Sequence, residues 1–253
     1  MPSLLQRSER IGAAAPRLNR LLVTRRDPDT RRYLSLGFLS CSAAGYQFVY
    51  LRSAIESPDF QPLPGLGRTD LTYAAEQLFP VFAERVMSSR RTDRREALAS
   101  LGLPETAAPF EVLVNSGGRS VGDAVELLPA PSAAPDGSLT FEFLVHGVRH
   151  MSARAQSKIS HLLPGELLLL ILEPDNPVNV RARLVTDLER LSLGYVPDPL
   201  LPVLDEMQAS TASVVRANDE RVGFHFRLTV RVEGNIGAGA QPFDGSEWAL
   251  AGE

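Results

Sequence analysis

Two short patterns in this chain place reactive side chains at spacings that enzymes and metal sites use. Residues 118–122 read G-x-S-x-G, with Ser120 where an α/β-hydrolase has its nucleophile. His146 and His150 are four residues apart, as two metal ligands on one helix are. A hydrolase also needs a strand before the serine and a helix after it, whereas the downstream sequence is β-rich. The zinc pattern needs a glutamate where Gly147 stands. We therefore predict no catalytic residue, no metal and no cofactor, with a serine hydrolase at Ser120 as the least favoured alternative.

The overall composition is that of a globular protein. The chain has 253 residues, 44% of them hydrophobic and 22% charged, and a net charge of −4. A strongly basic footprint is absent, so any nucleic-acid site must be a local patch. Cys41 is the single cysteine, which excludes a disulfide within the chain. No apolar run is long enough to cross a bilayer, and we expect a cytoplasmic protein without membrane contact.

Changes in composition divide the chain into two expected domains. Residues 1–32 carry eight arginines against three acids and read as a solvated basic tail, with a nucleic-acid arm as the alternative. Residues 33–129 form a first, mixed α/β domain, and the proline-rich segment 130–137 is a linker. A β-rich domain occupies residues 138–235, and residues 236–253 form a C-terminal tail around Trp248.

Hydrophobic periodicity predicts the elements that carry the polar residues. Short apolar runs between residues 33 and 51 favour strands, and helical spacing favours helices over 71–87, 93–101 and 153–162. Leu167–Leu172 reads as a buried strand, and the alternation up to Tyr195 favours a hairpin after it. Residues 222–232 alternate as a strand, which places His225, Arg227 and Arg231 on one face.

The segment 141–207 resembles the HIRAN domain, a small β-rich, OB-like module found in DNA-processing proteins. The family pattern runs G-x-R-Y-Y, an apolar strand, E-P-x-N-P-x-D-x-N-A, a strand, and G-Y-V/L-P. Its counterparts here are Gly147-Val148-Arg149-His150, Leu167–Leu172, Glu173-Pro174-Asp175-Asn176-Pro177, Ala182 and Gly194-Tyr195-Val196-Pro197. Asn179 and Arg181 stand where the family has Asp and Asn, and His150 and Val178 replace aromatic residues. The resemblance implies an OB-like barrel that binds DNA ends.

The segment 34–129 resembles the N-terminal subdomain of HipA-type toxin kinases. The resemblance lies in Leu78–Ala83, Pro109–Leu113 and Gly118–Asp123, followed by Pro129. The kinase core that follows in that family has no counterpart here, so no phosphoryl transfer is expected. The predicted fold class is thus α+β, a HIRAN-like barrel preceded by a HipA-N-like domain.

The leading hypothesis is a non-enzymatic adaptor that binds single-stranded or frayed DNA ends in repair, restriction or defence. The predicted nucleic-acid-binding residues are Arg149, His150, Arg154, Lys158, Asn176, Asn179, Arg181, Tyr195 and Arg227. Arg149 can hold a phosphate bidentately, and Arg154 and Lys158 share one face of a short helix. Asn176 equally suits a plain Asn-Pro turn, and Tyr195 equally suits a core. The rival hypothesis is a protein-interaction module of a toxin–antitoxin-like system, with a partner bound through residues 33–129.

Overall fold

The N-terminal half is built on an antiparallel sheet. The computed structural model describes residues 19–88, 90–120, 122 and 124–252. The strands of this sheet are β1 (Arg20–Arg26), β2 (Tyr33–Ser42), β3 (Gly45–Tyr50), β4 (Tyr73–Ala75) and β5 (Val125–Pro129). Their spatial order is β4-β3-β2-β1-β5. Strand β1 lies inside the sheet, between β2 and β5, and its Leu21, Leu22 and Val23 are all apolar and fully buried.

Short helices cover this first sheet. They are α1 (Arg52–Ile55), α2 (Pro80–Ala83), α3 (Arg94–Ser100) and α4 (Pro109–Ser116). Helix α4 starts at a proline, and the Glu111 carboxylate accepts a hydrogen bond from the Ala108 N–H at 2.8 Å. It ends at Gly117, whose φ of 68° is the left-handed conformation of a helix C-cap. The chain then turns back into β5 through Gly118 and Arg119.

The C-terminal half is a second antiparallel sheet that curls on itself. Its strands are β6 (Ser138–Leu144), β7 (Leu167–Leu172), β8 (Arg183–Thr186), β9 (Ser192–Tyr195), β10 (Ala209–Ala217) and β11 (Leu228–Asn235), in the spatial order β6-β11-β10-β7-β8-β9. Helices α5 (Ala153–Ile159) and α6 (Leu201–Glu206) connect them. The outer strands meet where His146, just after β6, exchanges two backbone hydrogen bonds of 2.9 Å with Tyr195 of β9.

Gly194 allows this closure. Its φ is +151°, and a Cβ atom there would lie 2.4 Å from Val145 Cγ1 and 2.5 Å from the His146 carbonyl oxygen. Only a residue without a side chain lets the two strands approach this closely. The position of Gly194 before Tyr195-Val196-Pro197 predicted a barrel corner or a close approach of a ligand, and the structure shows a close approach of two backbone segments there.

One hydrophobic cluster joins the two halves. It contains the barrel residues Phe141 and Val230 together with Leu22 and Phe38 of the first sheet. The C-terminal segment closes it, since the Trp248 ring lies 6.1 Å from the Phe38 ring. The backbone there also joins the first sheet, because the Ala251 N–H donates to the Tyr50 carbonyl at 2.9 Å.

Several predicted elements are present. The strands within residues 33–51 are β2 and β3, the helix over 93–101 is α3, and α5 lies within 153–162. Leu167–Leu172 is strand β7, but it is not buried as predicted, since Leu167 and Leu172 are 58% and 50% exposed. Strands β8 and β9 form the hairpin that follows it. The chain is therefore a mixed α+β protein with a curled antiparallel sheet, as the coarse fold class predicts.

Other predicted elements were wrong. Residues 20–26 were assigned to a solvated tail, yet they form β1, because their apolar residues outweigh the flanking arginines; residues 1–18 of that tail lie outside the described residues. The helix over 71–87 is replaced by β4 and α2, since Pro80 can only begin a helix. Residues 110–116, read as a buried strand-like segment, belong to helix α4.

The strand over residues 222–232 was also predicted wrongly. A 3₁₀ turn occupies Phe224–Phe226, and β11 begins only at Leu228. Arg227, expected to face outward, is 2% exposed. Apolar and polar residues alternate in the 3₁₀ turn as well as in the strand. Periodicity alone therefore does not distinguish a continuous strand from a turn followed by a strand.

Candidate ligand-binding cleft

A cleft of about 690 Å³ lies between the first sheet and the barrel. This volume falls in the range of small-molecule and cofactor sites. Five of the predicted binding residues line it, namely Arg149, His150, Asn176, Asn179 and Tyr195. The opposite wall comes from the N-terminal half, through Arg26, Arg31, Tyr33, Arg119 and Glu126.

A buried carboxylate forms the base of the cleft. Glu126 in β5 is 4% exposed, and its Oε1 lies 2.9 Å from His146 Nε2 and 3.4 Å from Arg119 Nη1. The Tyr33 hydroxyl donates to Glu126 Oε2 at 3.2 Å and lies 3.4 Å from His146 Nδ1. A charged group at this depth is stable only when it is paired, and here four side chains satisfy one another. We call Tyr33, Arg119, Glu126 and His146 the base cluster.

The pKa values in the base cluster follow from this packing. Burial alone would raise the pKa of Glu126, but His146, Arg119 and the Tyr33 hydroxyl outweigh it and lower the pKa to about 2. Burial, with the nearby Glu126 charge, raises the pKa of Tyr33 well above its ordinary value. The carboxylate is thus ionised and the phenol neutral across the physiological range. The base cluster thus connects the two halves through a charged, hydrogen-bonded network, and we call it the joint between them.

Two arginine–histidine pairs stand at the cleft. Arg149 Nε donates to His150 Nε2 at 3.1 Å, and Arg119 Nη1 lies 3.1 Å from His225 Nδ1. Burial, followed by the Arg119 charge, lowers the pKa of His225, which keeps its imidazole neutral. Each guanidinium group therefore contacts a ring nitrogen of its histidine partner at this point.

The asparagine residues shape the loop that borders the cleft. Asn176 Oδ1 accepts from the backbone N–H groups of Val178 and Asn179, at 3.0 and 3.1 Å. Its Nδ2 donates to Glu173 Oε2 at 2.6 Å, and the Tyr195 hydroxyl donates to the same oxygen at 3.1 Å. These bonds hold the 173–179 turn against β9, as expected for an Asn-Pro turn.

Four predicted binding residues lie outside the cleft lining: Arg154, Lys158, Arg181 and Arg227. Arg227 is buried, where its guanidinium donates to the carbonyl oxygens of Asn218 and Gln156 at 3.0 and 2.7 Å. Arg181 Nε donates to Asp205 at 2.8 Å, and Arg154 lies 3.6 Å from Glu189. The single basic face that the sequence suggested is therefore not formed by these side chains together with Arg149.

The cleft still has a positive balance. Its lining contains four arginines and three acids, which gives 4 − 3 = +1 with neutral histidines, in a chain of net charge −4. Arg26, Arg31 and Arg149 form no ion pair with any residue between 19 and 252 that the structure describes. Three of the four histidines of the chain also line it: His146, His150 and His225.

Sequence reasoning missed the residues from the N-terminal half and the exposed Phe224. Phe224 is 43% exposed and lines the cleft beside His225. Glu126 had a usable signal, since an acid inside the apolar strand V-E-L-L-P must find a buried partner. Arg26 and Arg31 had only the weak signal of a basic segment, and Phe224 had none, because only the packing of the two halves brings the three side chains to one place.

The two patterns considered first lack the context that their chemistry needs. Ser120 follows a helix and precedes a strand, the reverse of the order around a hydrolase nucleophile. His146 is bonded within the base cluster, and the described residues contain no group of three His, Cys, Asp or Glu side chains suited to a metal ion. No helix in the described ranges is long and apolar enough to cross a membrane. The described part of residues 33–129 exposes no large hydrophobic side chain for a protein partner.

Comparison with known proteins gives similarity over less than half of the chain. No protein-family model matches it, and no curated protein does. A crystal structure of a protein from Lactobacillus plantarum, a structural genomics target, is similar at a TM-score of 0.32 and 20% identity, over 39% of this chain and 97% of that one. The crystal structure of the HIRAN domain of human HLTF is similar at a TM-score of 0.28 and 17% identity, over 42% of this chain and 78% of that one. The resemblance of residues 34–129 to HipA-type kinases stays a prediction.

Proposed function

We propose that this protein is a non-enzymatic binder of single-stranded nucleic-acid ends and that the cleft between its two halves holds the end. The observation that carries the proposal is the meeting of Arg149, His150 and Asn179 with Arg26 and Arg31 around one cleft. The HIRAN-like sequence pattern points to the same face of the barrel. Repair, restriction or defence of DNA are the processes that such a binder would serve.

The side chains of the cleft suit a nucleotide strand. Arginine is the residue that best matches phosphate geometry, and Arg26, Arg31 and Arg149 have no carboxylate partner among the described residues. Phe224 offers an exposed aromatic face, and stacking on such faces is how proteins bind unpaired bases without regard to sequence. Asn179 Nδ2 can donate to a sugar hydroxyl or a phosphate oxygen. Charge and stacking together distinguish this site from a plain anion site.

The size of the cleft favours an end over a duplex. A volume of about 690 Å³ is that of a small-molecule site, and a walled cleft of this size accepts a few unpaired nucleotides at most. A double helix is much larger, since the major groove alone is about 12 Å wide. We therefore expect single strands or frayed ends to bind and blunt duplexes to bind only through opened ends.

Fluorescence anisotropy with labelled oligonucleotides tests the proposal. The probes are single strands with a free or a phosphate-blocked 3′ end and a blunt duplex, each titrated at two salt concentrations. We expect the single strands to bind more tightly than the duplex and to weaken as salt rises, because phosphate contacts release counterions. The Arg149→Ala/Asn179→Ala variant should bind more weakly, whereas Arg95→Ala, an exposed arginine paired with Glu105 outside the cleft, should not.

Two outcomes would contradict the proposal. Absence of binding at low salt, where electrostatic attraction is strongest, excludes nucleic acid as the ligand. Equal weakening by Arg95→Ala and by the cleft variant would mean diffuse charge attraction rather than a site. The protein-interaction hypothesis would then become the leading one.

A further inference from the structure

The two arginine–histidine pairs have an unusual composition for a phosphate site. In each pair a guanidinium bonds an imidazole nitrogen at 3.1 Å, and Arg119 also lies 3.4 Å from the Glu126 carboxylate. Such a bond requires a neutral imidazole, because a protonated nitrogen has no lone pair to accept with. The arginine charge is therefore kept at the cleft without a counter-charge from its histidine partner.

The pairs come from both walls of the cleft. Arg149 and His150 lie in the 3₁₀ turn after β6, whereas Arg119 lies between α4 and β5 and His225 in the turn before β11. The charged groups that face His225 are Arg119 and Glu126 from the N-terminal half, and His146 and Arg149 from the barrel. His150 faces Arg149. Protonation of either histidine places two adjacent positive groups at the cleft, and an incoming anion would stabilise both.

We propose, building on the proposed function, that these two pairs bind phosphate groups of the strand and that each histidine takes up a proton when the phosphate arrives. The proton comes from the solvent and occupies the ring nitrogen that had accepted the guanidinium N–H. The guanidinium N–H is then free to donate to the phosphate, and the imidazolium donates to the same anion. A phosphate has enough oxygen acceptors to bond both groups at once. In each pair, the hydrogen bond from the guanidinium to the imidazole is thus replaced by two charge-assisted hydrogen bonds to the phosphate, one from each side chain.

Proton uptake on binding makes the affinity for the strand depend on pH. The phosphate stabilises the protonated imidazole, so the histidine is a weaker acid in the complex than in the free protein. Affinity therefore rises as pH falls from the histidine pKa of the complex toward that of the free protein, and it is constant below both. The gain is up to about tenfold per pH unit for each proton taken up. Two histidines make the dependence steeper than one.

Titration calorimetry on the full chain tests this inference. A single-stranded oligonucleotide with hydroxyl groups at both ends is the probe, because its phosphodiesters do not titrate between about pH 8.5 and about pH 5.5, where histidine does. Measurements in buffers of different ionisation enthalpy give the number of protons taken up. We expect uptake by the wild type, less uptake by His150→Gln and His225→Gln, and pH-independent binding by the double variant. Glutamine keeps a neutral acceptor for the arginine.

His161→Gln is the matched control. His161 is the fourth histidine of the chain, it lies outside the cleft, and its Nδ1 is 2.9 Å from the Ser157 carbonyl oxygen. It should behave as the wild type does. Wild-type binding without proton uptake, or uptake that persists in the double variant, overturns this inference and leaves the proposed function standing. Failure of the wild type to bind any strand at low salt overturns the proposed function itself.

Discussion

The polar side chains on the two walls of the cleft differ in burial and in hydrogen bonding. On the N-terminal wall, Tyr33 and Glu126 are largely buried and bonded to one another and to His146. On the barrel wall, Arg149 and His150 are exposed and their side chains bond each other. Buried polar groups that satisfy one another add rigidity, and exposed ones stay available for a ligand. We infer that the first wall is a joint and the second a binding surface.

Removal of the joint should have the largest effect. Glu126→Gln removes a buried negative charge that Arg119 and His146 bond, and we expect the free energy of unfolding to fall by about 3 kcal/mol. Chemical denaturation measures it. Glu142→Gln is the control, because its partner Arg231 is partly exposed and such pairs contribute at most about 1 kcal/mol. Equal losses in the two variants would mean that the base cluster is no joint.

The joint should also respond to acid. The pKa of Glu126 is lowered to about 2 from an ordinary value near 4.5. Because the folded pKa is the lower one, the contribution is complete above the ordinary value and is lost as pH falls toward 2. At most about 3 kcal/mol of stability is involved. Acid unfolding followed by circular dichroism should therefore be steeper in the wild type than in Glu126→Gln, and parallel curves would contradict the ionic account.

Barrel closure offers the next largest test. Gly194→Ala places a Cβ against Val145 and the His146 carbonyl, at a φ that favours glycine, and we expect a loss of about 2 kcal/mol. Thermal unfolding measures it. Gly223→Ala meets no atom within 4 Å and should change stability little. If Gly194→Ala were equally mild, the two strands would not need their close approach.

Removal of an exposed side chain on the binding surface should change affinity and leave stability intact. Phe224→Ala should weaken single-strand binding by about 1–3 kcal/mol, the contribution of one stacked base. Phe224→Trp keeps an aromatic face and should bind as the wild type does. Phe224→Leu keeps apolar area without that face, and wild-type affinity in this variant would argue against stacking. Anisotropy measures all three.

We expect the smallest effect on stability and binding from a substitution outside both walls of the cleft. Arg154 is exposed and pairs with Glu189 at 3.6 Å, away from the cleft lining. Arg154→Gln should change stability by less than about 0.5 kcal/mol and leave strand binding nearly unchanged. A clear loss of affinity would extend the binding surface along α5, as the sequence had suggested.

Patterns of neighbouring residues in the sequence predicted the barrel wall of the cleft better than they predicted the base cluster. The spacing from Gly147 to Pro197 predicted β7 and the β8–β9 hairpin, because turns and short-range alternation depend on neighbouring residues. Glu126 meets Tyr33 and His146 across 93 and 20 positions of the chain. Pairing at such separations depends on how two sheets pack, which no local pattern encodes. The burial of Arg227 was missed for the same reason, since its acceptor Gln156 lies 71 positions away.

Because Trp248 packs on Phe38, this part of the core can form only after most of the chain has been synthesised. Strands β1 to β3 leave the ribosome early, yet Phe38 gains its partners Phe243 and Trp248 only near the end. At about 5–20 residues per second, the intervening residues take roughly 10–40 s to synthesise. Until then the Phe38 ring lacks the two aromatic contacts that it has in the folded protein. The bridge of Leu51 with Leu250, which joins the C-terminal segment to the first sheet, forms after the same interval.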